Sequence, residues 1–441
     1  PKDTIFEHEL IYTGLSRQDK IKAIREVMQE NNCSYHLVTT LDDIAWILNL
    51  RSTDVSCNPV FISYLLIAKE TCFLFTKEEK TPAQLMQKLI TENIFIYEYS
   101  HVFQKLAALP EGTHILLDNA FVNMEIQECL EGKTRVSKAL PSIDMKAIKS
   151  DTEIHNFRKC MVKDGVALTY AFKWLEDNLE KQSVSEYAFA ERIAHQRSQM
   201  ENYFGESFNA IVGYNANGAI VHYRADKKNA ANISKKGILL TDCGGQYKDG
   251  TTDITRTISM DGQPTAEQKT AYTAVLKGHI ALACARFPEG TTGVQLDSFA
   301  RMHLWKQGLN FSHGTGHGVG FFNSVHELPQ SIGPSCKSKA SLVFKEGMIT
   351  SNEPGYYEEN RFGIRIENLI LCKKSHLPGF LEFETITLFP IDKDLIEMEA
   401  LTISEKKWLN AYHERVFNEL SDKLDEEHRI WLAHKCKRIE E

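Results

Sequence analysis

The chain has 441 residues, more than one ordinary domain needs, and its 42% hydrophobic and 25% charged residues are typical of a globular protein of enzyme size. Its net charge of -8, with no basic block to offset it, argues against nucleic acid or an anionic membrane as the main partner. No segment reaches the roughly 18 apolar residues that a membrane-spanning helix needs, and the first residues, PKDTIFEHEL, lack the pattern of a signal peptide.

The ten cysteines stand singly along the chain, without a C-x-x-C pair. This spacing is typical of reduced thiols in a cytosolic protein, rather than of a disulfide framework or a zinc–thiolate site. We therefore expect a cytoplasmic location. The cysteines are Cys33, Cys57, Cys72, Cys129, Cys160, Cys243, Cys284, Cys336, Cys372 and Cys436.

Short apolar strands alternate with helical patterns in the first third of the chain, residues 1–145. The segments SYHLVTT, VFISYLLIAKE and TCFLFTKEE predict strands, and SRQDKIKAIREVMQENN predicts an amphipathic helix with Ser16 as its N-cap. The region contains neither a glycine-rich phosphate loop nor a cluster of acidic and basic residues. This pattern predicts an α/β domain.

Helical periodicity dominates from Ser150 onward. A long helix is predicted over SDTEIHNFRKCMVKDGVALTYAFKWLEDNLEK and a second one over SVSEYAFAERIAHQRSQM. Two further helices are predicted over PTAEQKTAYTAVLKGHIALACARF, with Pro264 in its first turn, and over VQLDSFARMHLWKQG. Glycine-rich strand segments lie between and after these helices, which predicts an α+β domain over residues 146–390.

The tail after Pro390 contains apolar residues spaced for one face of a helix. This extension, residues 391–441, is predicted to pack as a helix against its own domain or to form a dimer contact. The stripe consists of Trp408, Leu409, Tyr412, Val416 and Leu420.

Residues 238–258, ILLTDCGGQYKDGTTDITRTI, predict a β-hairpin. An apolar run leads to a turn around Asp249-Gly250 and a threonine-rich return strand, which is a strong hairpin signal. Asp242 ends the first strand and Asp253 lies on the strand that faces it. Carboxylates in such buried positions need a partner.

The segment GMITSNEPGYYEENRFGIRIENLIL repeats the order and the residue types of this hairpin and supplies Glu353 and Glu367. Strand alternation places Ile364 and Ile366 on one face and Arg365, with Glu367, on the other. Two pseudo-equivalent hairpins therefore offer two carboxylates each.

Between the two hairpins lies FSHGTGHGVGFFNSVHELP. His313 and His317 have helical spacing, but the alternating glycines argue against a helix. They indicate instead a backbone that passes close to another backbone or to a bound group. His326 follows shortly after.

Four converging carboxylates would repel one another and lose hydration at a cost of several kcal/mol each. Two divalent cations balance the four charges, and a pair about 3.5–4 Å apart forms a hydrolytic centre. Oxygen ligands with one imidazole favour manganese or a similar hard ion.

A single Asp at a strand end is usually a cap, and a lone His is usually a hydrogen-bonding residue. It is the conjunction with internal symmetry that favours a metal centre.

These residues together resemble the metallopeptidases of the pita-bread fold, and more closely the eukaryotic-type aminopeptidase P (X-prolyl aminopeptidase) family. The resemblance is carried by AIVHYRA, TDCGGQYKDGTTDITRTI, HGTGHGVG, VHE, NEPGYYE and GIRIEN, and it extends through LDDIAWILNLR and WLNAYH over nearly the whole chain. It implies an α/β creatinase-like domain (1–145), an α+β pita-bread catalytic domain with internal pseudo-two-fold symmetry (146–390) and a C-terminal helical extension (391–441).

The resemblance also implies five metal ligands. Asp242 is expected on one ion, His317 and Glu353 on the other, and Asp253 and Glu367 between the two.

Outside the ligand set, His222 and His326 match histidines that contact substrate, and His313 matches a further histidine that lines the site. Arg365 matches an arginine near the metals and Tyr357 a tyrosine behind them. For these two, an ion pair with a ligand carboxylate and plain packing, respectively, are equally consistent with the sequence.

The implied activity is the release of the N-terminal residue from peptides with proline in the second position. A metal-bridged hydroxide would attack the carbonyl before proline. Glu353 would relay a proton, His326 would hydrogen-bond the developing oxyanion, and His222 would help to hold the proline ring. The expected partners are such peptides and a second copy of the chain in a homodimer.

Two alternatives and two departures accompany this expectation. A prolidase shares the centre but needs a cation for the carboxylate of its X-Pro dipeptide, whereas non-catalytic or metal-free relatives lose ligands that this chain keeps.

Asn352 stands where close relatives usually have Asp, and a small effect is expected because it is not a ligand position. Full-length relatives carry an additional N-terminal α/β domain.

Overall fold

The structure is a computed structural model that describes residue 1, residues 3–335 and residues 342–440, so the predicted free thiol of Cys336 lies outside it. No disulfide joins any two of the nine cysteines within the described ranges. The chain divides into two compact units, Pro1–Glu153 and Ile154–Glu441. The domain boundaries predicted from the sequence, after residues 145 and 390, stay predictions.

The first unit is built on a six-stranded mixed sheet. The strands of the whole unit are β1 (Phe6–Glu7), β2 (Tyr35–Val38), β3 (Leu50–Arg51), β4 (Tyr64–Ala68), β5 (Cys72–Phe75), β6 (Ile94–Tyr97), β7 (His114–Leu117) and β8 (Thr134–Ser137). Its helices are α1 (Leu10–Thr13), α2 (Arg17–Glu30), α3 (Leu41–Leu48), α4 (Ala83–Thr91), α5 (His101–Ala107), α6 (Met124–Cys129) and α7 (Pro141–Ala147). The sheet order is β6-β5-β4-β2-β7-β8, while β1 and β3 form a separate pair.

The three strands predicted from the sequence correspond to β2, β4 and β5, and the predicted amphipathic helix is α2. Its N-cap is Ser16, whose Oγ accepts the backbone N–H of Asp19 at 3.1 Å. An apolar cluster that includes Leu37, Leu66 and Ile115 fills the space between the sheet and helices α5 and α6. The predicted α/β architecture of this region is confirmed.

The second unit carries the remaining elements. Its helices are α8 (Asp151–Asn178, which begins at the end of the first unit), α9 (Glu186–Ser198), α10 (Ala266–Ala283), α11 (Gly293–Trp305), α12 (Ile403–Leu420) and α13 (Glu426–Lys435). Its strands are β9 (Val184–Ser185), β10 (Tyr203–Glu206), β11 (Ile211–Tyr214), β12 (Asn232–Ile233), β13 (Ile238–Cys243), β14 (Gly245–Tyr247), β15 (Gly250–Thr251), β16 (Ile254–Ser259), β17 (Arg286–Pro288), β18 (Gly316–Gly318), β19 (Glu327–Ile332), β20 (Ile349–Asn352), β21 (Gly355–Glu358), β22 (Phe362–Arg365), β23 (Asn368–Lys374) and β24 (Phe380–Thr385).

Two helix-covered sheets form this unit. The sheet β11-β13-β16 packs against α8 and α9 through an apolar cluster in which the rings of Phe172 and Phe189 lie 5.2 Å apart. The sheet β17-β24-β23-β20-β18-β19 is covered by α10 and α11. These two helices approach so closely that a Cβ on Gly278 would lie 2.1 Å from the carbonyl oxygen of Ala300.

The two predicted hairpins are confirmed and have the same construction. In the first, β13 pairs antiparallel with β16 and the short strands β14 and β15 close the turn; in the second, β20 pairs with β23 and β21 with β22. Asp242 lies opposite Thr255, and Asn352 lies opposite Asn368. This repeat, with the helix pair on each sheet, is the pseudo-two-fold symmetry of the pita-bread fold.

One local expectation is corrected, and the choice between two predicted alternatives is decided for the tail. Helix α10 begins at Ala266, after a capping box between Thr265 and Gln268, so Pro264 precedes the helix instead of lying in its first turn. In the tail, the side chains of Leu409, Val416 and Leu420 are fully buried within this single chain. Most of the stripe of α12 is therefore intramolecular packing, which is the first of the two predicted alternatives, and Trp408 is half-buried. Within the described ranges, none of the helices combines the length and the apolar character needed to cross a membrane.

Candidate metal centre

The five predicted ligands converge on one cavity of about 630 Å³. Asp242 belongs to β13, and Asp253 directly precedes β16. His317 is the middle residue of β18, Glu353 follows β20, and Glu367 lies between β22 and β23. Each hairpin thus contributes one carboxylate from its first strand region and one from its return strand region, as the sequence repeat predicted.

The ligand atoms are close enough to share cations. One ligand atom each of Asp253, His317 and Glu367 lies within 4.8 Å of the others. His317 Nε2 lies 3.4 Å from Asp253 Oδ2 and 3.6 Å from Glu353 Oε1. Asp242 Oδ1 is buried and forms no hydrogen bond with the described part of the chain.

Crowding and burial disturb the ionisation of these carboxyl groups. Burial, and then the charges of Asp242 and Glu353, raise the pKa of Asp253 well above its usual range. Burial and Asp253 do the same to the pKa of Glu367, and burial and Glu367 raise the pKa of Glu353 to about 8. Without cations, therefore, the cluster holds protons at neutral pH. Divalent cations relieve this conflict, so the donor set fits a metal centre.

His317 is oriented for ligation by its backbone. Its Nδ1 lies 3.0 Å from the carbonyl oxygen of Gly318, which only accepts a hydrogen bond, so Nδ1 carries the proton and Nε2 offers its lone pair to the cluster. The flanking glycines permit this position, because a Cβ on Gly316 would lie 2.0 Å from the carbonyl oxygen of Ser351. The predicted close backbone approach is confirmed.

Behind the cluster, a chain of hydrogen bonds leads away from Asp242. Arg365 donates from Nη2 to Asp242 Oδ2 at 2.6 Å and from Nη1 to Tyr357 Oη at 2.6 Å. Tyr357 in turn donates to Nε2 of His313 at 2.8 Å. Burial raises the pKa of Tyr357 to about 12 and lowers that of His313 to about 4, so both are neutral at pH 7. Arg365 thus pairs with an expected ligand, and Tyr357 has a polar role besides packing.

The histidines predicted to contact substrate line the same cavity. His222 and His326 are both part of its wall, and the ring of His326 lies 4.2 Å from the ring of His317. His222 is exposed at the cavity surface. The structure therefore brings together all ten residues that the sequence singled out.

Two residues of the centre were missed by the sequence analysis. Thr255 Oγ1 donates to Glu367 Oε2 at 2.7 Å and accepts from Arg365 Nε at 3.1 Å. Ser351 Oγ donates to Glu353 Oε1 at 3.2 Å and accepts the backbone N–H of His317 at 3.0 Å. Both stand two positions from an expected ligand, so strand alternation could have placed them on the same face.

Asn352 points away from the cluster. Its side chain is buried and donates from Nδ2 to the carbonyl oxygen of His279 in α10, at 2.9 Å. This hydrogen bond ties β20 to the helix that covers it. The departure from Asp at this position accordingly concerns packing behind the sheet.

Three family models match successive parts of the chain. Residues 1–153 match the Creatinase/Prolidase N-terminal domain, residues 155–374 match Metallopeptidase family M24, and residues 379–439 match the C-terminal region of peptidase M24. Together they span both compact units.

Named relatives are similar over the whole chain. Proteins named probable Xaa-Pro aminopeptidase P from Arthroderma gypseum and Laccaria bicolor are 40% and 38% identical, over 100% and 99% of this chain and 72% and 70% of their own lengths. A solved structure of an X-prolyl aminopeptidase from Caenorhabditis elegans, described as a cytosolic enzyme with a di-nuclear active site, superposes with a TM-score of 0.93 at 32% identity, covering 99% of this chain and 73% of that one. A prolidase from Pyrococcus horikoshii superposes with a TM-score of 0.64 at 25% identity, over 84% of this chain and 99% of its own.

Proposed function

Because the chain belongs to metallopeptidase family M24, we propose that its cavity cleaves the first residue from peptides that have proline in the second position. The observation that carries the proposal is the convergence of four carboxylates and one imidazole, from two equivalent hairpins, in a cavity of about 630 Å³. That volume lies in the range of pockets that bind small ligands, such as a short peptide. The relatives named above supply the substrate class.

Asp242 is proposed to hold one divalent cation, His317 and Glu353 the other, and Asp253 and Glu367 both. Two such cations would lower the pKa of a bound water and would polarise the scissile carbonyl. The proposed ion is manganese, because four carboxylates and one imidazole form an oxygen-rich donor set. The raised pKa values of Asp253 and Glu367 support the assignment of these two residues as ligands, since the cations take the place of protons there.

The chain's own residues handle the protons and the substrate. Glu353 receives the proton of the attacking water and passes it to the prolyl nitrogen, the leaving group, while Ser351 holds one of its carboxylate oxygens. His326 hydrogen-bonds the oxygen on which charge develops. His222 contacts the proline ring, and proline has no N–H to donate and a fixed φ. The free α-amine of the substrate binds beside the acidic residues, which limits cleavage to one residue.

Arg365, Tyr357 and His313 fix the orientation of Asp242. The arginine neutralises part of the carboxylate's charge, and the phenol and imidazole extend the chain of hydrogen bonds toward Gly314. These residues keep one oxygen of Asp242 engaged, which leaves Oδ1 for a cation.

A homodimer in the cytoplasm remains the proposed state of the protein. With the stripe of α12 buried, a different surface supports it: α11 exposes Phe299, Met302 and Trp305 at intervals of three residues, with exposed fractions of 40%, 41% and 52%. Large apolar side chains on one helix face are typical of an interface. Trp305→Lys should yield a species near the 50.2 kDa chain mass in sedimentation, and Ile403→Lys, at an exposed position of α12, should not.

The test of the proposed function uses metal-reconstituted protein and mass spectrometry of the products. Ala-Pro-Pro should yield free alanine and Pro-Pro, and Ala-Ala-Pro should stay intact. A prolidase would instead act on the dipeptide Ala-Pro and leave the tripeptide uncleaved. Cleavage of Ala-Ala-Pro at a similar rate would overturn the assignment of a proline-specific enzyme.

A further inference from the structure

Arg224 is the cation of the cavity wall that the proposed chemistry does not use. Its side chain is exposed and lines the cavity together with His222. Among the residues that the structure describes, no carboxylate forms an ion pair with Arg224, whereas Arg365, the other arginine of the wall, is bound to Asp242. Its guanidinium is therefore available to a bound molecule.

The loop that carries Arg224 is fixed by one buried carboxylate. Glu186 is fully buried at the start of α9. Its Oε1 accepts the backbone N–H of Tyr214 at 2.7 Å and Nδ2 of Asn217 at 2.9 Å. Its Oε2 accepts the hydroxyl of Tyr223 and the backbone N–H of Ala231, both at 2.8 Å. The beginning, the middle and the end of the segment 214–231 are thus held on a single side chain.

This anchoring fixes the two cavity residues relative to each other. Tyr223 stands between His222 and Arg224 and is held by Glu186, while its two neighbours both line the cavity. A guanidinium on an anchored backbone loses less conformational freedom on binding than one on a mobile loop. The backbone at Arg224 is therefore held in a defined position on the cavity wall, as expected for a residue of a binding subsite.

The charge of the cavity determines what this subsite accepts. Two divalent cations balance the four carboxylates of the floor, so Arg224 adds a positive charge that is not neutralised at the wall. An arginine pairs best with a planar anion that it can contact with two N–H groups, and a peptide offers this in a carboxylate.

Position along the substrate follows from the proposed function, on which this step rests. In the proposed function His222 contacts proline on the leaving-group side, and Arg224, which lines the same cavity, is two residues further along the loop. The next residue of an extended substrate lies about 3.3–3.6 Å beyond proline. We propose that Arg224 is a specificity-determining residue that binds a carboxylate on the residue after proline, either the C-terminal carboxylate of a tripeptide or an acidic side chain.

Paired substrates that differ only in the carboxylate test this assignment. Ala-Pro-Pro is compared with its C-terminal amide, and Ala-Pro-Glu-amide with Ala-Pro-Gln-amide. Each pair is measured with the wild-type protein, with Arg224→Gln and with Lys227→Gln. Lys227 is an exposed cation of the same loop that does not line the cavity, so its variant is the charge-matched control.

The wild-type protein should favour the carboxylate member of a pair by about three- to fivefold in kcat/KM, as expected for an ion pair that solvent reaches. The preference should lie in KM and shrink with added salt, since the contact is equal in ground and transition states. Arg224→Gln should abolish it and Lys227→Gln should keep it. A preference confined to the first pair identifies the chain terminus as the source, and one confined to the second identifies the side chain.

A preference that survives in Arg224→Gln, or its absence from the wild-type protein in both pairs, overturns the assignment while the proposed function stands. Binding of Pro-Pro and of its amide to the metal-loaded proteins, measured by calorimetry, separates the two claims. If no peptide is cleaved, the proposed function has failed. The carboxylate subsite is then supported by a binding ratio that Arg224→Gln removes, and is overturned by one that it leaves unchanged.

Discussion

Two buried polar clusters lie on either side of strand β13, and they solve the same electrostatic problem differently. Asp242 of this strand belongs to the metal centre, and the next residue, Cys243, contacts the second cluster through Arg197. We call this second group, Arg197 with Asp164, Glu206, Tyr203 and Tyr247, the Arg197 cluster. Both groups contain more carboxylates than cations.

The Arg197 cluster is complete within the chain. Arg197 donates to both oxygens of Asp164, at 2.8 and 3.2 Å, and to Glu206 at 2.9 Å. The hydroxyls of Tyr247 and Tyr203 supply further hydrogen bonds to Asp164 and Glu206, each at 2.9 Å. One fully buried guanidinium and two phenols therefore donate to all four oxygens of two carboxylates.

The metal centre, in contrast, has too few hydrogen-bond donors and cations of its own for its carboxylates. Arg365 forms an ion pair with only one of its four carboxylates, Asp242, and mutual repulsion adds to burial in raising the pKa values of the other three. In the Arg197 cluster burial also raises the pKa of Glu206, but Arg197 opposes that shift directly. A buried carboxylate is therefore no sign of a metal in itself. The sign is an excess of carboxylates that the chain's own donors do not satisfy, and that excess is where divalent cations are required.

The largest effect is expected from Asp253→Asn. Removing a ligand proposed to contact both cations should lower kcat by about 10³-fold or more. The same change removes one crowded carboxyl, so the metal-free variant should unfold at a higher temperature than the metal-free wild type. Thermal unfolding with and without chelator measures this. If the metal-free variant were instead the less stable protein, carboxylate repulsion would be the wrong account of the cluster.

Arg197→Met should show the opposite pattern. The change leaves Asp164 and Glu206 buried without their cation. It should cost about 3–5 kcal/mol of unfolding free energy, as breaking a buried ion pair does. Because no cation site is involved, the loss should be similar with and without manganese. Urea unfolding at both conditions checks it, and a loss that manganese restored would show that the two clusters are not distinct.

The stability of the metal-free protein should depend on pH through Glu353. Its pKa is raised from 4.5 to about 8, so the folded protein keeps a proton that the unfolded chain releases between these values. Stability is therefore highest below about pH 4.5 with respect to this group and falls by about 5 kcal/mol as the pH rises from there through about 8. The difference in unfolding free energy between the wild type and Glu353→Gln isolates this slope. A difference that is flat with pH contradicts the raised pKa.

The smallest effect is expected from Tyr203→Phe. It removes one hydroxyl that donates to Glu206 and should cost about 1 kcal/mol of unfolding free energy. Metal content and kcat should be unchanged, because the residue belongs to the Arg197 cluster alone. A loss of bound manganese in this variant would show that the two clusters are coupled through β13.

The sequence predicted the metal centre better than its surroundings, for a physical reason. The carboxylates Asp242, Asp253, Glu353 and Glu367 lie in a strand or directly beside one, where a carboxylate is unfavourable without a partner, so each was conspicuous in the sequence. The repeat of the hairpin then implied that they meet. His317 was marked by glycines that only a close backbone approach requires.

Arg224 and Glu186 gave no such signal. An arginine in a polar loop is usually a solvated residue, and only the structure shows that Arg224 lines the cavity. Glu186 reads as an ordinary acidic residue in the first turn of a helix. Its four partners are spread over residues 214–231, and this long-range pattern is absent from local sequence.

The stripe of α12 illustrates a different limit. An apolar helix face must be covered, but periodicity does not identify what covers it. Leu409, Val416 and Leu420 are buried within their own unit, whereas α11 exposes Phe299, Met302 and Trp305.

The central claim, that the excess of carboxylates is a dinuclear cation site for peptide cleavage, is tested most directly by titrating metal-free protein with manganese. Bound ions per chain, from calorimetry and elemental analysis, are compared with the rate of Ala-Pro-Pro cleavage in the same samples. We expect two ions per chain, with the rate rising until both are bound. Undiminished turnover in exhaustively chelated protein, or the failure of the chain to bind any divalent ion, would contradict the account.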